Sequence, residues 1–263
     1  MTFIDVLILG LVEGLTEFLP VSSTGHLILT AWLLRLQNTD FLKSFEVAIQ
    51  LGAILAVIFI YFRRLIQGLA IYYRLLAAFI PTAVIGFAMY PLIKKYLFSP
   101  VIVSVSLILG GILLILADRW VESRPAAFED LDQMPLKKAA WIGLIQCLAM
   151  VPGVSRSGAT ILGSLLNGCD KKQAMEFSFL LAIPTMLAAT GYDLYKTAHG
   201  FTAQEFTWLG LGSLVAFVSA WLAVKAFLDF VTRYGLKGFG YYRILAGAIF
   251  LLAIFVFKAP IHL

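Results

Sequence analysis

"EGLTEFLPVSSTGHL" (residues 13–27) sets Glu13, Glu17, Ser22, Ser23, Thr24 and His26, with a proline and two glycines, inside a run of leucine, isoleucine and valine. The surroundings decide how it is read. Of 263 residues, 61% are hydrophobic and 13% charged, and mean hydropathy is +0.92. Soluble domains carry about a quarter charged residues. Leu75 to Ile93, Tyr96 to Ala117 and Phe206 to Val224 contain no charge at all, and a spanning helix needs about 20 apolar residues. The alternating short segments of a membrane β-barrel are absent. The sequence therefore predicts an all-α polytopic membrane protein, with a single integral membrane domain over residues 1–263.

Six stretches read as full spans: 41–62, 70–93, 97–118, 173–195, 205–229 and 240–258. Two regions do not. Residues 2–36 are interrupted at 13–26, and residues 136–168 at Gln146 and "PGVSRSG" (152–158). Irregular backbone at membrane depth is tolerated only where protein or a water-filled cavity satisfies it. Both regions are thus predicted to be re-entrant helix pairs that enter, break at the proline and return.

The two interrupted regions are also copies. A shift of 133 residues carries Gly10 onto Gly143, Glu13 onto Gln146, Ser22 onto Ser155, Thr24 onto Ser157 and Gly25 onto Gly158. A re-entrant pair returns to its starting side and three spans follow, so the second copy starts on the opposite face. The expected architecture is an inverted-topology repeat, repeat one about 1–118 and repeat two about 136–260, with the site near the midplane where the copies meet. Thirteen basic residues, including Arg63, Arg64, Arg119, Arg124 and Arg243, fall on one side; six, including Arg35, Lys43, Lys94, Lys95 and Lys258, fall on the other. The richer side is expected to be cytoplasmic. That puts the first pair and both termini on the outside. The N-terminus carries no basic leader pattern. Cys147 and Cys169 read as small apolar filler, and the net charge of +5 as loop charge rather than nucleic-acid binding.

The chemistry concentrates at the two breaks. Glu13 and Glu17 are i, i+4 on one helix and share a face. Two carboxylates at depth require a shared proton or a cation. Arg156, the one basic residue assigned to membrane depth, either neutralises a carboxylate or holds an anion; a divalent metal is the other candidate. Helix starts after "PVSST" and "PGVSRS" offer hydroxyls, N–H groups and the positive helix end, which suit phosphate. His26 beside Ser22, Ser23 and Thr24 adds a base or nucleophile. Serines and threonines in membrane helices commonly serve packing alone. Ionisable groups at depth are usually functional.

"EGLTEFLPVSSTGH" (13–26) and "PGVSRSGAT" (152–160), with "FEVAIQLGAILAV" (45–57) and "FSFLLAIPT" (177–185), resemble the undecaprenyl pyrophosphate phosphatases, the UppP or BacA family. The resemblance implies an inner-membrane hydrolase. It would convert undecaprenyl diphosphate to undecaprenyl phosphate for peptidoglycan synthesis and confer bacitracin resistance. It also implies an outward-opening active site and a divalent metal ion, Mg2+ or Ca2+. Carried over by position, Glu17, His26, Ser23 and Arg156 are the expected catalytic residues. Ser22, Thr24, Ser155, Ser157, Thr160 and Gly153 are expected to bind substrate, and Glu13 with Glu17 the metal. The expected partners are the prenyl diphosphate and the bilayer, with no nucleic acid; a homodimer is left open. A lipid-carrier flippase or anion transporter using the same inverted-repeat site is the alternative.

Overall fold

The computed structural model of the chain describes residues 1–37, 39–96, 100–122, 125–197 and 200–257, and contains no strand among them. Arg124 and Lys258, both in the basic tally, lie outside the described residues, as do 97–99 of the third expected span. The chain begins with two short helices, α1 (Phe3–Thr16) and α2 (Ser23–Leu33). Then come α3 (Asp40–Ala48), which runs through Ile49 into α4 (Gln50–Ile60), the short α5 (Phe62–Ile66), α6 (Ala70–Tyr96) and α7 (Pro100–Glu122). After a linker, the second half repeats the order: α8 (Leu136–Gln146), α9 (Arg156–Leu166), α10 (Lys171–Thr197), α11 (Ala203–Tyr234) and α12 (Lys237–Phe257).

Among the described residues, six helical segments are long and apolar enough to cross a membrane: Asp40–Ile60, Ala70–Met89, Val101–Val121, Lys171–Thr197, Ala203–Tyr234 and Lys237–Val256. Their outer faces carry Phe59, Phe87, Leu222 and Phe255, exposed by 55–83%. A water-soluble protein does not present apolar surface on that scale, and the chain is a multi-pass membrane protein. The segments match the six spans expected from the sequence. The fifth is longer than its expected limits. Thr202 and Glu205 form a capping box at the start of α11, and Gly235, at φ 76°, ends it. The exposed Asp229 sits on its outer face.

Helices α1, α2, α8 and α9 are 11 to 14 residues long, too short to span about 30 Å of hydrocarbon. They lie against the longer helices in a matched way. α1 packs on α11 and α8 on α6, while α7 packs on α12 and α4 on α10. Glycines permit the first two contacts. A Cβ on Gly10 would stand 2.8 Å from the Gly212 carbonyl of α11, and one on Gly143 would strike the Ala78 carbonyl of α6. The main core gathers Phe18, Val57, Phe177, Phe179 and Phe227 where the two halves meet. Phe18 stands edge-on to Phe179 at 5.5 Å and fixes the first break against α10.

Candidate active site

Two breaks in the helix pattern build the site. α1 stops at Thr16, the chain turns through Glu17–Val21, and α2 starts at Ser23. α8 passes through a 3-10 turn at Cys147–Met150, and α9 starts at Arg156. The residue before each new helix is a serine in a backbone conformation that L residues rarely adopt, Ser22 at φ 71° and Ser155 at φ 73°. Gly153, at φ 91°, completes the second turn and lies against the Val103 backbone. Ser155 Oγ accepts from Gly158 N at 3.1 Å and caps α9. Ser22 occupies the same position before α2, but its side chain makes no capping bond.

A cavity of about 230 Å3 opens between the breaks. The first break contributes Glu17, Ser22, Ser23 and Thr24, and the second Pro152, Gly153, Ser155 and Arg156. Gln50, Thr82, Gln146 and Thr185 add a polar but uncharged wall. Ser23 and Ser155, 132 residues apart in sequence, line one pocket.

Glu17 joins the halves. One carboxylate oxygen accepts a hydrogen bond from Ser23 Oγ, and the other accepts from Arg156 Nη2 at 3.1 Å. Arg156 Nη1 donates to the Ser178 carbonyl at 3.0 Å, and the guanidinium lies 5.6 Å from the Phe18 ring centroid. Among the described residues, Arg156 Nε has no partner. Of the two roles open for this arginine, the geometry displays carboxylate neutralisation, with one donor still unused. Glu17, Ser23 and Arg156 form a hydroxyl, an acceptor and a cation in a row, the set that nucleophilic attack on an anionic centre requires.

The other expected site residues fall into outer positions. His26 does not line the cavity. Its Nδ1 lies 2.9 Å from the Ser22 carbonyl and its Nε2 2.5 Å from Tyr242 Oη, and its ring stacks on Tyr242. These partners fix the tautomer: Nδ1–H donates to the carbonyl and Nε2 accepts from the phenol. Ser157 donates to the Leu19 carbonyl at 2.7 Å and lies 3.0 Å from Ser155 Oγ, which ties the breaks together. Thr160, fully buried, bonds the Arg156 carbonyl and Ser178 Oγ behind the cavity. Glu13 is fully buried, and among the described residues neither of its carboxylate oxygens has a donor. Among the described residues no three His, Cys, Asp or Glu side chains form a metal cage. The two orphaned oxygens of Glu13, one helical turn from the Glu17 carboxylate, nonetheless suit a hard cation that completes its shell with water and phosphate oxygens.

Arg243 escaped the sequence reading, which set it among the cytoplasmic basic residues. It is 1% exposed and reaches both breaks, so Arg156 is not the one cation at depth. Its place in "GYYRILAG", a run with no acidic residue, resembles a span end. Gln146 and Thr82 also went unassigned. Gln146 Nε2 donates to Thr82 Oγ1 at 2.8 Å, and Gln146 Oε1 has no partner among the described residues.

A family model described as "Bacitracin resistance protein BacA" matches residues 6–249. The chain belongs to the BacA family. Its curated relatives include a protein named undecaprenyl-diphosphatase from Aquifex aeolicus, 54% identical over 251 residues, 95% of this chain and 98% of the relative. The protein of the same name from Persephonella marina is 54% identical over 252 residues, 96% and 99% of the two chains. That from Wolinella succinogenes is 49% identical over 251 residues, 95% and 98%. The family match takes in both breaks and, apart from the last turns of α12, the long helices described above.

Proposed function

We infer that the chain is an integral membrane undecaprenyl-diphosphatase, which releases inorganic phosphate and returns undecaprenyl phosphate to the lipid-carrier pool. The full-length likeness to proteins of that name carries the activity. The observation that carries the mechanism is the Ser23–Glu17–Arg156 row on the wall of a cavity between two helix starts.

In this reading the two short helix pairs are re-entrant and the halves form an inverted repeat. The paired positive-φ serines and the matched α1–α11 and α8–α6 contacts support it. The diphosphate head enters from the outer face, and its tail stays in the bilayer. Arg156 and the N–H groups at the starts of α2 and α9 hold the phosphates. Ser23 Oγ attacks the terminal phosphorus and passes its proton to Glu17. The bond to the bridging oxygen breaks, and undecaprenyl phosphate leaves. Water then attacks the phosphoserine, Glu17 returns to Oγ the proton it took from Ser23 as the Oγ–P bond breaks, and the water's protons leave with the inorganic phosphate. Glu13 and Glu17 would hold a divalent cation, which when bound supplies positive charge to the phosphate oxygens. His26 holds the Ser22 carbonyl, and through it the start of α2.

Purified protein in detergent, given undecaprenyl diphosphate, tests both layers. Phosphate release without any membrane gradient is expected, and its absence removes the phosphatase in favour of transport. Mass spectrometry after quenching in denaturant at neutral pH, which preserves both phosphoserine and phosphohistidine, is expected to find phosphate on Ser23. A phosphoryl group on His26 instead would transfer the nucleophilic role to the imidazole.

A further inference from the structure

Arg243 is a charged side chain held entirely inside the protein, on the span that is last in sequence. Among the described residues it makes six hydrogen bonds, and all end on backbone carbonyls. Nη1 donates to Pro20 and Val154 at 3.0 Å each, and Nη2 to Gly153 and Val154 at 3.0 Å and Ser106 at 3.2 Å; Nε donates to Leu107 at 3.3 Å. Three of these five carbonyls belong to the two breaks. Pro20 stands two residues before Ser22, and Val154 immediately before Ser155, the two serines with positive φ. A single planar fork therefore grips both turns from behind and fastens them to α7.

The opposite helix is cut to admit it. A Cβ on Gly110 of α7 would land on the guanidinium, 2.7 Å from Cζ and closer still to Nη2. The shift of 133 residues that aligns the two breaks also carries Gly110 onto Arg243. At one position of the repeat, the first half supplies room and the second supplies the cation. A residue needed only to fill space would be apolar, because burying an unpaired charge is costly unless its hydrogen bonds are met in full. Here the donors are met, and by the segments that shape the cavity.

We propose that Arg243 is a positioning residue for the site: it holds the two breaks face to face by their carbonyls and touches no substrate. The proposal rests on the phosphatase reading for its kinetic arm only. Lysine keeps the charge but has three donors on one atom and lacks the fork, so Arg243→Lys should let the breaks drift apart. A displacement of about 1 Å at a reacting centre costs about 100-fold in rate. Arg243→Lys is accordingly expected to lose about 100-fold in kcat, with KM for undecaprenyl diphosphate within about threefold of wild type. Gly110→Ala keeps the arginine and displaces its guanidinium, and should reproduce the same split.

Amide hydrogen exchange read by mass spectrometry in detergent supplies an arm independent of turnover. Residues 18–24 and 151–158 should exchange faster in both variants, while α4, α10 and α11 keep wild-type protection. Uniformly faster exchange, or loss of folded protein in both variants, overturns the proposal and makes Arg243 a packing residue. Unchanged exchange at the breaks overturns it too, as does unchanged kcat in a variant whose breaks have loosened. If wild type releases no phosphate, the phosphatase reading falls, and the exchange pattern still decides whether Arg243 holds the breaks.

Discussion

Glu17 accepts from Ser23 on one side and Arg156 on the other, so a change of charge there is felt twice. Glu17→Gln keeps the size but removes the proton acceptor. General-base catalysis is worth about 10²- to 10⁴-fold, and phosphate release should fall by about that factor while the protein stays folded. Arg156→Lys loses both the bond to the Ser178 carbonyl and the unused Nε donor. Steady-state kinetics should show kcat and KM both worsening, since a point charge cannot grip phosphate in two places. Tyr242→Phe is milder. It deletes the partner of His26 Nε2 and keeps the stacked ring. A lost hydrogen bond of about 1 kcal/mol predicts a roughly fivefold loss of activity. At this scale the sequence was legible where an ionisable group interrupts an apolar run, as Glu13, Glu17 and Arg156 do. It was illegible where the partner is distant. Nothing in residues 237–243 announces that Tyr242 meets His26, 216 positions away, or that Arg243 turns inward.

Among the elements, the two breaks and the polar linker respond differently to damage. Gly153 combines positive φ with backbone contact to Val103. Gly153→Ala adds left-handed strain of about 1–2 kcal/mol and a collision besides, so both detergent Tm and activity should drop. The linker is held from outside the cavity. Arg64 of α5 bonds Asp130 at 2.8 Å, Asp132 at 3.1 Å and Glu176 at 3.1 Å. Partial burial works against its charge, yet these three acids hold its pKa above the ordinary arginine value. Arg64→Ala should lower Tm without changing turnover per folded molecule, because the cluster touches no cavity residue. Cys169, between α9 and α10, is buried beside Asp170, and its thiol is pushed up to about 12. A raised thiol pKa keeps the neutral form through ordinary pH, so maleimide at pH 7–9 should leave Cys169 unmodified until the protein is denatured; labelling of the native protein would contradict this. Helix lengths and turn residues made these elements readable in sequence. The capping box at Thr202 and the Ile49 joint within the first span were not, since they depend on local backbone geometry rather than hydropathy.

The whole molecule is expected to be two halves of opposite orientation sharing one cavity, and that expectation has a direct consequence for access. Gln67 lies in the turn between α5 and α6, beside the basic Arg63 and Arg64, on the side the charge bias assigns to the cytoplasm. Gly200, between α10 and α11, is three spans away and has open space around it. In a background with Cys147 and Cys169 replaced by serine, a membrane-impermeant maleimide applied to intact cells should label Gly200→Cys and spare Gln67→Cys until the cells are opened. Both positions labelled alike would break the parity that makes the halves inverted. Reversed labelling would turn the cavity toward the cytoplasm, where a hydrolase acting on carrier lipid from the outer leaflet could not reach its substrate. Thr24 is the exposed lip of the cavity, so a third variant, Thr24→Cys, reports on the site itself. Its labelling should follow Gly200→Cys, and undecaprenyl diphosphate should slow it, because the bound headgroup and the maleimide would compete for the same opening.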